Sequence, residues 1–93
     1  MTAVDDRRFT PSDTLSWNDA GNELTLFDEA SQGYFALNGP AVSIWRELAA
    51  GNSVTETIDA LAARFDAPPA AIAGDVLAFV GDALDRNLLA LRG

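Results

Sequence analysis

The chain contains no cysteine, no histidine and no lysine. Without cysteine it forms no disulfide and no cysteine zinc site, and without histidine it lacks the commonest general base and metal ligand. A Ser-His-Asp or Cys-His mechanism is therefore excluded within this chain. The acidic residues show no EF-hand spacing, and no glycine loop of the phosphate-binding kind is present. The sequence predicts a protein that is not an enzyme and that needs no metal and no cofactor.

Basic residues are few. The chain has six arginines and fourteen carboxylates, which give it a net charge of −8. A chain of this charge repels phosphate backbones, so nucleic acid is not an expected partner. No apolar run approaches the roughly 18 residues that span a bilayer, and Met1–Asp6 has no apolar core of a signal peptide. We therefore expect a soluble, cytoplasmic protein that does not contact membranes.

The chain is long enough for one domain with a single modest core, since it has 93 residues of which 48% are hydrophobic. Residues 1–12 are polar and end in Thr10-Pro11-Ser12, which predicts a flexible N-terminal arm. The folded domain is expected over residues 13–93.

The first half of that domain has the pattern of strands. Leu15 and Trp17 alternate with polar residues and predict a strand with one buried face. A turn at 19–22 leads to a second strand over 23–28 with apolar residues on both faces. Aromatic and aliphatic residues then fill a third strand within Gly33–Asn38. Three strands at this spacing predict a small antiparallel meander.

The second half has the pattern of helices. Pro40 fits the first position of a short helix that ends at Gly51. Ser53-Val54-Thr55-Glu56 fits a capping box that begins a second helix. Pro68-Pro69 breaks this helix and begins a third one over about 69–87. The predicted fold class is α+β, winged helix-turn-helix-like, with a three-stranded antiparallel sheet followed by three helices.

The third helix carries a broad apolar face that is expected to pack on the other helices. This face contains Ala73, Val76, Leu77, Val80, Leu84 and Leu88. Ile72, Phe79 and Ala83 lie at its edge, flanked by Asp75, Asp82 and Arg86. Phe79 is consistent either with peripheral core or with the wall of a groove. Leu88, Leu89 and Leu91 then close the chain as a short strand or a docked tail.

The strand within Gly33–Asn38 is expected to be the last of its sheet, with one unpaired edge and neither charge nor proline to protect it. Three functions are compatible with such an edge beside a helix. A winged-helix DNA binder needs basic side chains on its recognition helix, but the third helix offers only Arg86 against Asp75, Asp82 and Asp85. A peptide-binding module would add an extended segment to the edge. A structural or regulatory subunit would bury the same groove in a homodimer.

The residues that surround this strand resemble those of a known family. Gly33-Tyr34-Phe35-Ala36-Leu37-Asn38, followed by Ala41, Ile44 and Trp45, is similar to the "GxxxxLN…A..IW" core of PqqD-like proteins. The resemblance continues through Ser53-Val54-Thr55-Glu56 with Ile58 and Leu61, Phe65-Asp66, Val76, Phe79, Leu84 and Asn87-Leu88-Leu89. It covers about residues 13 to 91.

The resemblance implies a recognition element for ribosomally synthesised precursor peptides, a non-catalytic adaptor with a winged-helix-like fold. Members of this kind bind the leader segment of the precursor as an added antiparallel strand between the third strand and the third helix. By matching position, one wall of the site contains Tyr34, Phe35, Ala36 and Leu37. The other wall contains Asp75, Val76, Phe79, Val80, Asp82, Ala83 and Arg86.

The resemblance also implies a partner enzyme to which the leader is delivered. PqqD itself works with a radical S-adenosylmethionine enzyme, and small discrete members of lasso-peptide pathways work with a separate leader peptidase. This chain lacks the longer proline-containing segment that precedes the "LN" in PqqD proper, so the resemblance favours a lasso-type or other stand-alone member. The expected oligomeric state is a monomer or a weak homodimer.

Overall fold

The computed structural model of the chain describes residues 5–92. The strands of this part are β1 (Phe9–Pro11), β2 (Leu15–Asp19), β3 (Glu23–Asp28), β4 (Gly33–Asn38) and β5 (Leu89–Leu91). The helices are α1 (Pro40–Ala49), α2 (Val54–Arg64) and α3 (Pro69–Asp85). The predicted α+β fold, a three-stranded antiparallel sheet followed by three helices, is confirmed. No helix within residues 5–92 is long and apolar enough to cross a bilayer.

The three-stranded sheet has the order β2-β3-β4, with β3 in the centre. In the register of β3 and β4, Leu26 lies opposite Phe35 and Phe27 lies opposite Tyr34. Among the described residues β4 pairs with β3 alone, so its other edge is open. The predicted meander therefore ends in the unpaired strand that the sequence pattern indicates.

The core lies between the inner face of this sheet and the three helices, and Trp45 of α1 is fully buried within it. The ring of Trp17 on β2 meets the ring of Trp45 edge to face, with 5.4 Å between the ring centroids. Leu15 on the same strand is buried as predicted, but the Trp17 side chain remains 45% exposed. The reason is that β2 is an edge strand of the sheet, so one side of the Trp17 indole stays open to solvent.

The ends of the helices follow the local sequence. The predicted capping box is present, because Ser53 Oγ accepts from the Glu56 amide at 3.1 Å and Glu56 Oε1 accepts from the Ser53 amide at 2.9 Å. Each helix is followed by a residue of positive φ, namely Gly51, Asp66 and Asn87. In each case the next amide donates back into the last turn, which is the hydrogen bond of a Schellman motif.

The N-terminal segment differs from the expected flexible arm over residues 5–12. Phe9 is 1% exposed, and β1 pairs antiparallel with β5. The Val54 amide also donates to the Arg7 carbonyl at 3.1 Å, which attaches the segment to the start of α2. One buried aromatic ring and a short strand pairing hold this polar stretch in place. Residues 1–4 of the expected arm lie outside the described residues.

Helix α3 is rotated slightly relative to the predicted apolar face. Val76 and Val80 are buried as expected, and Ala83, which was expected at the edge of that face, is only 2% exposed. Leu77 was expected in the core but is 47% exposed. The buried stripe is thus centred on Val76, Val80 and Ala83, and Leu77 lies on the side of the helix beyond it.

Candidate peptide-binding site

A surface groove of about 330 Å³ lies between β4 and α3. One wall is the β4 edge, and the other is the C-terminal half of α3. The residues that line it are Tyr34, Phe35, Ala36, Leu37, Phe79, Asp82, Ala83, Arg86 and Leu88. The structure therefore brings together β4, the last strand of the meander, and α3, the last helix, in the way that the resemblance implies. Whether these residues bind a peptide stays a prediction.

The direction of the backbone groups along β4 follows from the hydrogen bonds of β3. The Glu29 amide donates to the Thr14 carbonyl, and the Ala20 amide donates to the Glu23 carbonyl. Backbone groups alternate in direction along a strand, so the odd-numbered residues of β3 face β2 and the even-numbered ones face β4.

The register between β3 and β4 then shows which backbone groups of β4 lie on its paired edge and which lie on its open edge. Because Leu26 and Leu24 lie opposite Phe35 and Leu37, these two β4 residues carry the ladder hydrogen bonds to β3. The N–H and C=O groups of Tyr34 and Ala36 point to the open edge. The groove thus has a row of unpaired backbone donors and acceptors along one wall, spaced as an added strand requires.

The side chains of β4 also alternate, and they divide the predicted strand wall into two faces. Phe35 and Leu37 are half-buried and pack against the core, so they point inward beneath the groove. Tyr34 is 72% exposed and lies beside Phe27 on the outer face of the sheet, with 5.9 Å between ring centroids. Tyr34 and Ala36 therefore contribute edge backbone to the groove, whereas Phe35 and Leu37 contribute apolar side chains.

On the helix wall, Phe79 is half-buried, packs against the core and also lines the groove. Arg86 pairs with Asp82 one turn earlier, with 3.1 Å between Nε and Oδ1. The Arg86 guanidinium also lies over the Phe35 ring at 5.6 Å from the centroid, which links α3 to β4 across one end of the groove. Both charged side chains are more than half exposed, so the ion pair orients these groups rather than adding much stability.

Three of the predicted site residues do not line the groove. Val76 and Val80 are buried in the core because they lie on the inward stripe of α3. Asp75 is exposed, but it lies nearer the start of α3 than the groove does. The predicted helix wall is thus shifted toward the C-terminal half of α3.

Leu88 is buried in the core, as the sequence pattern predicts, and it also lines the groove. Asn87 has a φ of 59°, and the Leu88 amide donates to the Ala83 carbonyl at 2.9 Å. This reversal ends α3 and directs Leu88 back under its last turn. An asparagine directly before two leucines at a helix end is the sequence signal for this arrangement.

The hairpin that presents β4 is stabilised by Asp28, which is 6% exposed. Its carboxylate accepts from the Thr14 hydroxyl at 2.6 Å, the Ser31 hydroxyl at 3.0 Å and the Ala30 amide at 3.1 Å. The Thr14 hydrogen bond, followed by those from Ser31 and Ala30, lowers the pKa of Asp28 below its ordinary value, while burial opposes this shift. Within residues 5–92 no three acidic side chains converge in a metal-binding arrangement.

A protein-family model described as coenzyme PQQ synthesis protein D (PqqD) matches residues 23–89, well over half of the chain. The chain belongs to the PqqD family. The matched segment extends from the start of β3 into β5, so it contains both walls of the groove. The family resemblance inferred from the sequence is confirmed.

Two solved structures share the fold of this PqqD-family chain. One, described as TbiB1 in complex with the TbiA(beta) leader peptide, has a TM-score of 0.81 and 24% identity, covering 86% of this chain and 93% of that one. The other, described as lasso peptide synthetase B1 complexed with the leader peptide, has a TM-score of 0.80 and 20% identity, covering 89% and 98%. No curated protein sequence matches the chain.

Proposed function

We propose that this PqqD-family protein is a non-catalytic adaptor that binds the leader segment of a ribosomally synthesised precursor peptide. The leader adds as an antiparallel strand to the open edge of β4 and lies against α3. The adaptor then delivers the leader to a processing enzyme, in the manner of a lasso-type recognition protein with its leader peptidase. A radical S-adenosylmethionine maturase is the other class of enzyme partner that the family suggests.

The observation that carries this proposal is the pairing of an open strand edge with a groove that contains the apolar side chains of Phe35 and Phe79. The outward amides and carbonyls of Tyr34 and Ala36 can bond any extended peptide, so they give direction and register but little sequence discrimination. Discrimination has to come from leader side chains that enter the groove between Phe35 and Phe79. A protein that selects one precursor needs both the open strand edge and the side chains of the groove.

The comparisons favour a leader peptide as the occupant of this groove. The two solved structures with the same fold were each determined with a leader peptide, and both belong to chains of nearly the same extent as this one. The net charge of −8 argues against duplex DNA as the ligand of the winged-helix-like fold. It also predicts that basic residues in the leader speed association, since charge complementarity acts mainly on encounter rates.

Titration calorimetry of the purified protein with the leader of its cognate precursor tests the proposal. A series of leaders, each with one N-methylated amide, adds the geometric test. If the leader forms a strand, methylation at alternate residues removes donors to β4 and weakens binding, whereas methylation at the residues between them has little effect on the ladder.

A leader with scrambled sequence and identical composition is the matched control. We expect it to bind at least tenfold more weakly, because its side chains no longer match the groove. Absence of binding by the native leader refutes the proposal. Binding that shows no two-residue period in the methylation series refutes strand addition as its mode.

A further inference from the structure

A second concave surface lies between α2 and α3, where a cavity of about 280 Å³ opens to solvent. Its apolar lining includes Val54, Ile58, Ala73 and Leu77. None of its lining residues is shared with the groove beside β4. The 47% exposed side chain of Leu77 is at this site, so a large aliphatic group stands open where burial would stabilise it.

The two surfaces lie on different sides of α3. The groove uses Phe79, Asp82 and Arg86, whereas the cavity uses Ala73 and Leu77. At roughly 100° per residue these two sets lie on either side of the buried stripe of the helix. A ligand on one surface therefore leaves the other one open.

The size of the cavity limits what it can hold. A cavity of about 150 Å³ holds benzene, while small-molecule sites occupy about 300–1,000 Å³. At about 280 Å³ the cavity lies just below this range, and it has room for one or two apolar side chains of a protein partner.

The charges around the cavity are acidic. Among residues 5–92, Asp5 and Asp59 are its only charged lining residues, and no arginine of this range lines it. Asp5 is held at the rim by its backbone, since the Thr55 amide donates to its carbonyl at 3.1 Å, and its carboxylate pairs with Arg7 at 2.7 Å. Asp59 forms no ion pair with any residue in the described range. The rim thus favours a cationic neighbour and disfavours a second copy of this chain, which would bring like charges together.

We infer that the α2–α3 cavity is the docking surface for the processing enzyme. The enzyme would insert one apolar side chain against Leu77 and place a lysine or arginine next to Asp59. This inference rests on the proposed adaptor function and assigns the enzyme a surface separate from the leader groove. The adaptor would then hold leader and enzyme at the same time, on two sides of one helix.

The test uses the full-length protein, its cognate leader and the leader peptidase encoded beside the precursor. Leu77→Asp places a charge in the cavity at an exposed helix position, and Ala78→Asp is the matched control because it adds the same charge at the next, exposed position outside both surfaces. We expect Leu77→Asp to weaken peptidase binding at least tenfold and to leave leader affinity within twofold. Ala78→Asp should change neither.

Asp59→Arg provides a second variant that does not alter the apolar lining. It should weaken peptidase binding at least fivefold and reduce its salt dependence, because a repulsive contact replaces an attractive one. Peptidase binding that neither Leu77→Asp nor Asp59→Arg weakens overturns the inference.

Other occupants of the cavity give different results. If a second copy docks here, the unaltered protein elutes as a dimer and Leu77→Asp elutes as a monomer, which overturns the inference.

If the chain's own N-terminal segment docks here, Val4→Ser lowers thermal stability, and it causes no further loss of stability once Leu77→Asp is present. That result overturns it as well. An unaltered protein that fails to bind the leader contradicts the proposed function itself, and leader binding without any peptidase binding contradicts both its delivery step and this inference. Leader and peptidase binding that the cavity variants leave unchanged contradicts only this inference.

Discussion

Proline at position 36 tests the open edge of β4 more directly than any side-chain truncation. The Ala36 N–H points away from β3, so Ala36→Pro removes a donor that the sheet does not use. Proline is tolerated in edge strands when its missing N–H faces solvent. The residue before it, Phe35, is already in a strand, which is the conformation that proline favours at the preceding position. The folded protein should therefore lose little stability.

The effect on leader binding can be estimated from one lost hydrogen bond. The bond itself contributes about 0.5–1.5 kcal/mol, and a leader carbonyl left unsatisfied within the complex costs about 1–3 kcal/mol. We expect a total loss of about 1–3 kcal/mol, which corresponds to about 5- to 150-fold in Kd. Calorimetric titration with the cognate leader measures this loss, and a thermal melt of the same sample measures stability.

Two control variants make this result interpretable. Ala36→Ser keeps the amide and adds little volume, so its leader affinity should stay within about twofold of the unaltered protein. Leu37→Pro removes an N–H that bonds to β3, and it should lower the melting temperature much more than Ala36→Pro. If Ala36→Pro melts normally and binds the leader with unchanged affinity, the leader does not pair with β4 and the assignment of the site is wrong.

Three further predictions test the groove and the elements that support it. Phe79→Ala should weaken leader binding by about 1–3 kcal/mol; a loss of folding stability of several kcal/mol with unchanged affinity would instead identify Phe79 as core alone. Hydrogen bonds lower the pKa of Asp28 in the folded state, so its stabilisation is present above its ordinary pKa and is lost as the pH falls through the lowered value. Asp28→Asn should therefore reduce the fall in the free energy of unfolding between neutral and acid pH, measured by denaturant titration. An unchanged fall at acid pH would contradict this role. Ser53→Ala should destabilise the fold by about 1 kcal/mol through loss of the capping box, without altering leader affinity; a stability change near zero in urea titration would contradict it.

The parts of the fold that the sequence predicted well are set by local signals. The β3 strand and the capping box of α2 depend on residues within a few positions of one another, namely the alternation in Glu23–Asp28 and the pair Ser53 and Glu56. The order of strands before helices and the unpaired last strand followed from these signals. A meander needs no long-range information to place its final strand at an edge.

The N-terminal pairing was not predictable in the same way. Strand β1 has three residues, with Phe9 as its one large apolar side chain, so it shows no period that predicts a strand. Its strand conformation depends on β5, which lies at the other end of the chain. Burial of Phe9 is a tertiary contact, and a polar stretch with a single aromatic residue gives no sign of where that residue packs.

The rotation of α3 was missed because its apolar residues surround most of the helix. Alanines separate its larger side chains, so several orientations bury a similar apolar area. The structure places Ala83 inward and Leu77 outward, although Leu77 is the larger of the two. The side of α3 that faces the core is decided here by the fit against α2, α1 and β5 rather than by its own pattern.

Phe79 shows why a sequence alone does not separate core from site in this protein. The two alternatives for this residue were peripheral core and groove wall, and in the structure the ring packs against the core and lines the groove at once. A residue with both contacts couples leader binding to the packing of α3.

Leu77 lies beyond the buried stripe of the same helix, in the α2–α3 cavity. If leader binding improves the packing of Phe79 and thereby orders α3, it also orders one wall of the surface that we assign to the enzyme. The adaptor would then bind the enzyme more tightly when loaded than when empty, and by thermodynamic linkage the enzyme would raise leader affinity by the same factor.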